Sequence, residues 1–139
     1  MYEIIVKDVF AGAHFLRNYN GECEKLHGHN WTVEVTLKCE KLDDLGMVVD
    51  FKIVKGIIGE ALSRFDHSYL NELKEFSHEN PTTENVSKLL FEKLGEKLPP
   101  KISIAKVKTW ESDNCAAAST EKVPFTTISS PISKPDLIK

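Results

Sequence analysis

From Trp31 to Cys39 the chain alternates without a break: Trp31, Val33, Val35, Leu37 and Cys39 are separated by Thr32, Glu34, Thr36 and Lys38. Side chains along a strand point alternately to its two faces, so this period describes a strand with one buried face and one wet face. Tyr2, Ile4, Val6 and Phe10 repeat the pattern more weakly, giving a first strand over the first ten residues that pairs with it. The polar run Arg17-Asn18-Tyr19-Asn20-Gly21 joins the two, so the N-terminal third reads as a long antiparallel hairpin.

The period then changes. Phe51, Val54, Ile58, Ala61, Leu62 and Phe65 recur at spacings of three and four, which predicts an amphipathic helix despite Gly56 and Gly59. A second helix is expected from Pro81-Thr82-Thr83-Glu84, where a threonine can cap and Glu84 suits the positive end of the helix dipole. It runs through Val86, Leu89, Leu90 and Leu94 until Pro99-Pro100. Residues 102–111 and 116–127 read as two further strands. The order strand, strand, helix, helix, strand, strand predicts an α+β domain: a four-stranded antiparallel sheet with two helices inserted between strands 2 and 3 and packed on one face.

With 139 residues, 41% of them hydrophobic and 28% charged, the chain is expected to form one domain over 1–139, with 128–139 as a loose tail. No apolar run approaches the ~20 residues that span a bilayer, and the N-terminus lacks the marks of a signal peptide, so a cytoplasmic protein without a membrane partner is expected. Cys23, Cys39 and Cys115 show no CxxC spacing and cannot all pair, which indicates neither a disulfide framework nor a cysteine-rich zinc cluster. A net charge of -3 argues against nucleic acid as a partner. A small anionic substrate is compatible with it, served by local cations such as Arg17, Lys25 or Lys52.

The chemistry concentrates just before the strongest strand. His27 and His29 are two apart and share the parity of Trp31, Val33 and Val35, so both imidazoles face the covered side. Without partners there, each would leave a buried nitrogen unsatisfied at a cost of ~1–3 kcal/mol. A metal ion removes that cost. His14 keeps the even parity of Tyr2, Ile4 and Val6 and can supply a third nitrogen from the neighbouring strand. Three histidines with no fourth protein ligand in sight describe a catalytic zinc site with an open position.

Cys23, four residues before His27, can reach the rim of such a site as a base or nucleophile, as an inert loop thiol, or as a fourth zinc ligand. Asp66-His67 follows the first helix, and a carboxylate beside an imidazole can orient and charge it for proton transfer, although such a dyad also serves structure alone. Glu111, after Thr109-Trp110, is solvated or, if buried, suited to grip a planar N–H edge through two charge-assisted hydrogen bonds. His78 lies in a polar stretch and reads as a loop residue.

Six segments together resemble the 6-pyruvoyl-tetrahydropterin synthase family, and particularly its 6-carboxy-tetrahydropterin synthase branch, which serves queuosine biosynthesis. They are Ala13-His14-Phe15-Leu16, Cys23-Glu24-Lys25-Leu26-His27-Gly28-His29, Gly46-Met47-Val48-Val49-Asp50-Phe51, Asp66-His67-Ser68-Tyr69-Leu70-Asn71, Pro81-Thr82-Thr83-Glu84-Asn85 and Trp110-Glu111. The resemblance implies the tunnelling fold, a homohexamer built as a dimer of trimers, and active sites between subunits. It also implies zinc held by His14, His27 and His29, Cys23 as the proton-abstracting base, Asp66 and His67 as its relay, and Glu111 as the pterin anchor with Thr82 and Thr83 as further substrate contacts. The implied substrate is 7,8-dihydroneopterin triphosphate, converted to 6-carboxy-5,6,7,8-tetrahydropterin with loss of acetaldehyde and triphosphate.

Glu24 follows Cys23, so the chain also fits Glu-x-x-His-Gly-His, which resembles the variant that cleaves the side chain to 6-hydroxymethyl-7,8-dihydropterin for folate synthesis. A 6-pyruvoyl-type, folate-type or dual activity using Glu24 is the alternative. Around Cys115, Ser112-Asp113-Asn114-Cys115-Ala116 matches no family motif strongly. Two other classes fit the histidines alone: a non-catalytic zinc-stabilised domain with Cys23 as fourth ligand, and a hydrolase using metal-bound hydroxide.

Overall fold

The computed structural model describes residues 1–21 and 24–122. Strands β1 (Tyr2–His14) and β2 (His27–Cys39) pair antiparallel in unbroken register, from Tyr2↔Cys39 at one end to His14↔His27 at the other. β1 extends beyond the expected first ten residues and carries His14 at its tip. Helix α1 (Phe51–Leu62) and the two-residue strand β3 (Ser68–Tyr69) follow, then helix α2 (Thr83–Gly95), β4 (Ser103–Trp110) and β5 (Ala116–Thr120).

The sheet has the order β3-β1-β2-β4-β5. Its four longer strands are antiparallel as expected, and β3 adds a fifth, parallel to β1 through Gly12↔Ser68 and Ala13↔Tyr69. β5 stops at Thr120, and residues 123–127 of the expected final strand, like the expected tail over 128–139, lie outside the described residues. One residue of β4, Ala105, is unmatched where the β2–β4 register shifts between Thr36 and Leu37.

Alternation decides the core. Val6, Phe10, Trp31, Val33, Val35, Leu37 and Val107 line the covered face and meet Val54, Ile58, Ala61 and Leu62 of α1 and Val86, Leu90 and Leu94 of α2. Each helix starts on a capped turn: Asp50 accepts from the Lys52 backbone N–H, and Thr82 accepts from that of Asn85. α1 ends at Leu62, earlier than expected. Phe65 lies beyond it yet is buried, because the chain turns back over the core and packs that ring on Phe10, centroids 5.7 Å apart.

Arg64, Glu75 and Lys93 tie the ends of this layer together, with Arg64 forked onto both Glu75 oxygens and Lys93 3.1 Å from one of them. Arg64 holds the Glu75 carboxyl down to about 2, partial burial opposes it, and Lys93 adds to the depression. A depressed carboxylate stabilises the fold above its ordinary value near 4.5 and loses that contribution as pH falls through the folded value. Glu75→Gln is therefore expected to cost on the order of 1 kcal/mol at neutral pH, a small figure because solvent reaches the pair. In denaturant unfolding the gap to wild type should close as pH falls from 4.5 towards 2; a gap independent of pH would contradict the ion-pair origin.

Candidate metal centre

His14 ends β1 and His27 opens β2, so the hairpin register sets them opposite one another, while His29 faces Gly12 two residues further in. All three rings turn to the covered side above Trp31. His14 is 3% exposed and His29 25%, and the ring centroids lie 4.7 Å apart for His14–His27 and His27–His29 and 5.2 Å for His14–His29. Gly12 makes this possible: a Cβ there would come within 3.2 Å of the Phe10 ring, which stacks flat on Trp31.

The outer nitrogens are spoken for. A carbonyl oxygen only accepts, so His14 Nδ1 carries its hydrogen and donates to Pro81 O at 2.7 Å, and His27 Nδ1 donates to Lys25 O at 2.8 Å. Each Nε2 then faces the cluster, that of His14 3.1 Å from Glu111 Oε1, the tautomer selection common among metal-binding histidines. His29 Nε2 is buried without a hydrogen-bond partner among the described residues. The Glu111 carboxylate lies 3.1 Å from it and 3.1 Å from His14 Nε2, close as a charge but outside hydrogen-bonding geometry for His29. Burial holds the His29 imidazole below its ordinary value; Glu111 pulls it up, and the His14 and His27 rings push it further down. A neutral imidazole is the form that binds metal.

One ligand atom from each of His14, His27, His29 and Glu111 lies within 4.8 Å of the others. Donors at ~2.0–2.2 Å in a tetrahedral shell lie about 3.3–3.6 Å from one another, so the more distant pairs among these four would draw in by roughly 1 Å to share one ion. The orphaned nitrogen of His29 and the donor set both suit such an ion. Sequence reasoning found no fourth protein ligand; the structure brings Glu111 to the trio. Its parity with buried Thr109 on the inward face of β4 was the available signal.

The other expected residues are placed unevenly. Thr83 Oγ1 is 3.5 Å from Glu111 Oε2 and belongs to the site, whereas the Thr82 hydroxyl is used as the α2 cap. Glu24 lies at the rim, Oε1 3.7 Å from His27 Nδ1. Cys23 lies outside the described residues. Asp66 and His67 are not in the cluster but at the sheet edge, where Asp66 Oδ1 accepts from Ala11 N at 2.9 Å and lies 3.1 Å from His67 Nδ1. The Ala11 N–H, with His67 in support and against slight desolvation, holds the Asp66 carboxyl below its usual range. His67 and His29 line one open depression of about 470 Å³. A larger cavity, about 1160 Å³, lies at the opposite end of the hairpin beside Met1 and Cys39 and holds no histidine.

Arg17 is not free for an anion: its guanidinium donates to three backbone carbonyls, those of Asn71, Phe76 and Glu79. Cys115 is exposed, and its carbonyl accepts from Glu111 N at 3.0 Å. No helix among the described residues is long and apolar enough to cross a membrane.

The family model for 6-pyruvoyl tetrahydropterin synthase matches residues 3–122. A Bacillus subtilis protein named 6-carboxy-5,6,7,8-tetrahydropterin synthase is 36% identical over 87 residues, 59% of this chain and 58% of its own length. A Pyrococcus furiosus protein named dihydroneopterin monophosphate aldolase is 31% identical over 110 residues, 79% of this chain and 90% of its own. Among solved structures, the 6-pyruvoyl tetrahydropterin synthase of Caenorhabditis elegans superposes with a TM-score of 0.76 at 26% identity, covering 87% of this chain and 96% of that one.

Proposed function

This chain belongs to the 6-pyruvoyl tetrahydropterin synthase family, lyases that act on pterins, and on that premise we propose that it converts 7,8-dihydroneopterin triphosphate to 6-carboxy-5,6,7,8-tetrahydropterin. Acetaldehyde and triphosphate leave and water is consumed, a step of queuosine biosynthesis. The observation that carries the reading is the inward trio His14, His27 and His29, with an orphaned nitrogen facing a carboxylate. The Bacillus subtilis relative supports the choice of branch.

The trio would hold zinc, which when bound acts as a Lewis acid and makes a substrate hydroxyl easier to deprotonate. Everything else falls to the chain. Pro81 O and Lys25 O fix two ligand tautomers. Glu111, with Thr83 beside it, would accept two hydrogen bonds from the pterin's planar N–H edge and so fix which side-chain carbon faces the base. Thr82 would add a backbone-side contact from the start of α2. Cys23, four residues before His27, would take the carbon-bound proton as thiolate. Asp66 keeps its charge and would orient His67 to return a proton. Their place at the sheet edge suits sites shared between subunits, as expected of a dimer of trimers in the cytoplasm.

A second reading has a specific support. The Glu24 carboxylate stands at the rim of the same trio, and the Pyrococcus furiosus relative bears the name of an aldolase. Glu24 acting as the base would cleave the side chain to 6-hydroxymethyl-7,8-dihydropterin, alone or beside the first reaction.

Incubating the zinc-loaded protein with 7,8-dihydroneopterin triphosphate and weighing the pterin product by mass spectrometry separates the readings. The 6-carboxy product is expected from wild type, with a loss of at least about a hundredfold in Cys23→Ala, in keeping with the usual contribution of a positioned acid or base. A hydroxymethyl product that survives Cys23→Ala but not Glu24→Ala would establish the second reading instead.

A further inference from the structure

On the edge away from β2, β1 loses its strand partner just before the site. Its pairing with β3 ends at Ala13↔Tyr69, and two asparagine side chains then take the place of a strand. Asn71 accepts from Phe15 N at 2.9 Å and donates to Phe15 O at 2.9 Å. Asn80 does the same for Arg17, at 2.8 and 3.1 Å. Phe15 and Arg17 are two apart and offer their backbone groups to one edge, so each amide acts as a surrogate ladder residue.

Arg17 then binds back. Its guanidinium donates to Asn71 O at 2.9 Å, Phe76 O at 2.8 Å and Glu79 O at 3.1 Å, gathering the whole segment 71–79 around one planar cation. The next residues are Asn80, whose carbonyl accepts from Asn85 Nδ2 at 2.8 Å, and Pro81, whose carbonyl takes the His14 Nδ1 hydrogen at 2.7 Å. Arg17 is thus tied by hydrogen bonds to Glu79 and Asn80, and through the two peptide bonds that follow to the carbonyl that holds the outer nitrogen of His14.

We infer that Arg17 is a positioning residue of the metal centre: by gathering the carbonyls of segment 71–79 it holds the Pro81 carbonyl against His14, and so sets that ligand's tautomer and aim. The inference rests on the metal reading above. Lysine cannot replace it, because a point charge on a flexible stem does not match three acceptors in fixed directions.

The test compares wild type, Arg17→Ala, Arg17→Lys and Lys38→Ala, the last losing an ion pair with Glu121 at the end of the hairpin opposite the histidines and outside segment 71–79. Zinc affinity is read by chelator competition, and ligand geometry by the visible spectrum of the cobalt-substituted proteins. Both Arg17 variants should bind zinc about tenfold to a hundredfold more weakly, the usual cost of disturbing a ligand's hydrogen-bond partner, with a shifted cobalt spectrum. Lys38→Ala should match wild type in both. Wild-type affinity and spectrum in a folded Arg17 variant would overturn the inference, as would an equal loss in Lys38→Ala, which would signal general loosening. If Arg17→Ala does not fold, Arg17→Lys gives the answer. Wild type that binds no zinc would instead defeat the metal reading, before any variant is compared.

Discussion

Protein carrying His29→Ala is expected to bind zinc more than about a hundredfold more weakly than wild type and to lose pterin turnover with it. The lower bound follows because disturbing a ligand's partner alone costs tenfold to a hundredfold, and here the ligand itself is gone. His29 is the sharpest choice of the three. Its Nε2 is buried with no hydrogen bond among the described residues, and its backbone remains in the β1–β2 ladder opposite Gly12. The fold should persist, as near-wild-type circular dichroism would show. Chelator competition measures the effect, and zinc affinity within tenfold of wild type would mean that the trio does not hold the ion.

Glu111→Gln should separate two jobs that the structure leaves side by side. If the carboxylate grips the pterin, the amide presents one acceptor and one donor to an edge made of donors, and kcat/KM should fall about a hundredfold, as expected for losing a charged hydrogen bond worth ~1.5–3 kcal/mol. Zinc affinity should then stay within a few-fold of wild type. If Glu111 instead completes the metal shell, affinity and turnover fall together. Its position between His14 and His29 makes either outcome chemically possible; the pterin role predicts the first, and steady-state kinetics with chelator competition on one preparation decides.

The sequence was most legible where burial imposes a period. The alternation from Trp31 to Cys39 carries back through His29 and His27, and even parity along β1 carries to His14, so the sequence alone sets three histidines on one face. What escaped has no period. β3 is two residues long, and it forms because His67, in the left-handed region at φ +56, turns the chain so that its N–H meets Ala11 O. Arg17 showed its charge but not what it faces, hence its expected role toward an anion. Phe65 kept the helical spacing although the helix had ended, since the core selects apolar residues whatever the backbone does. Glu111 could be recognised by resemblance as a pterin anchor, yet its closeness to two imidazoles depends on how β4 sits against β2.

The proposed chemistry requires three imidazoles to meet at one divalent ion that keeps a place for substrate oxygen. Zinc K-edge X-ray absorption on the wild-type protein tests it most directly. Three nitrogen scatterers at about 2.0–2.1 Å, completed by oxygen and without sulfur, are predicted. A sulfur scatterer near 2.3 Å, or a shell with fewer than three imidazoles, would contradict it.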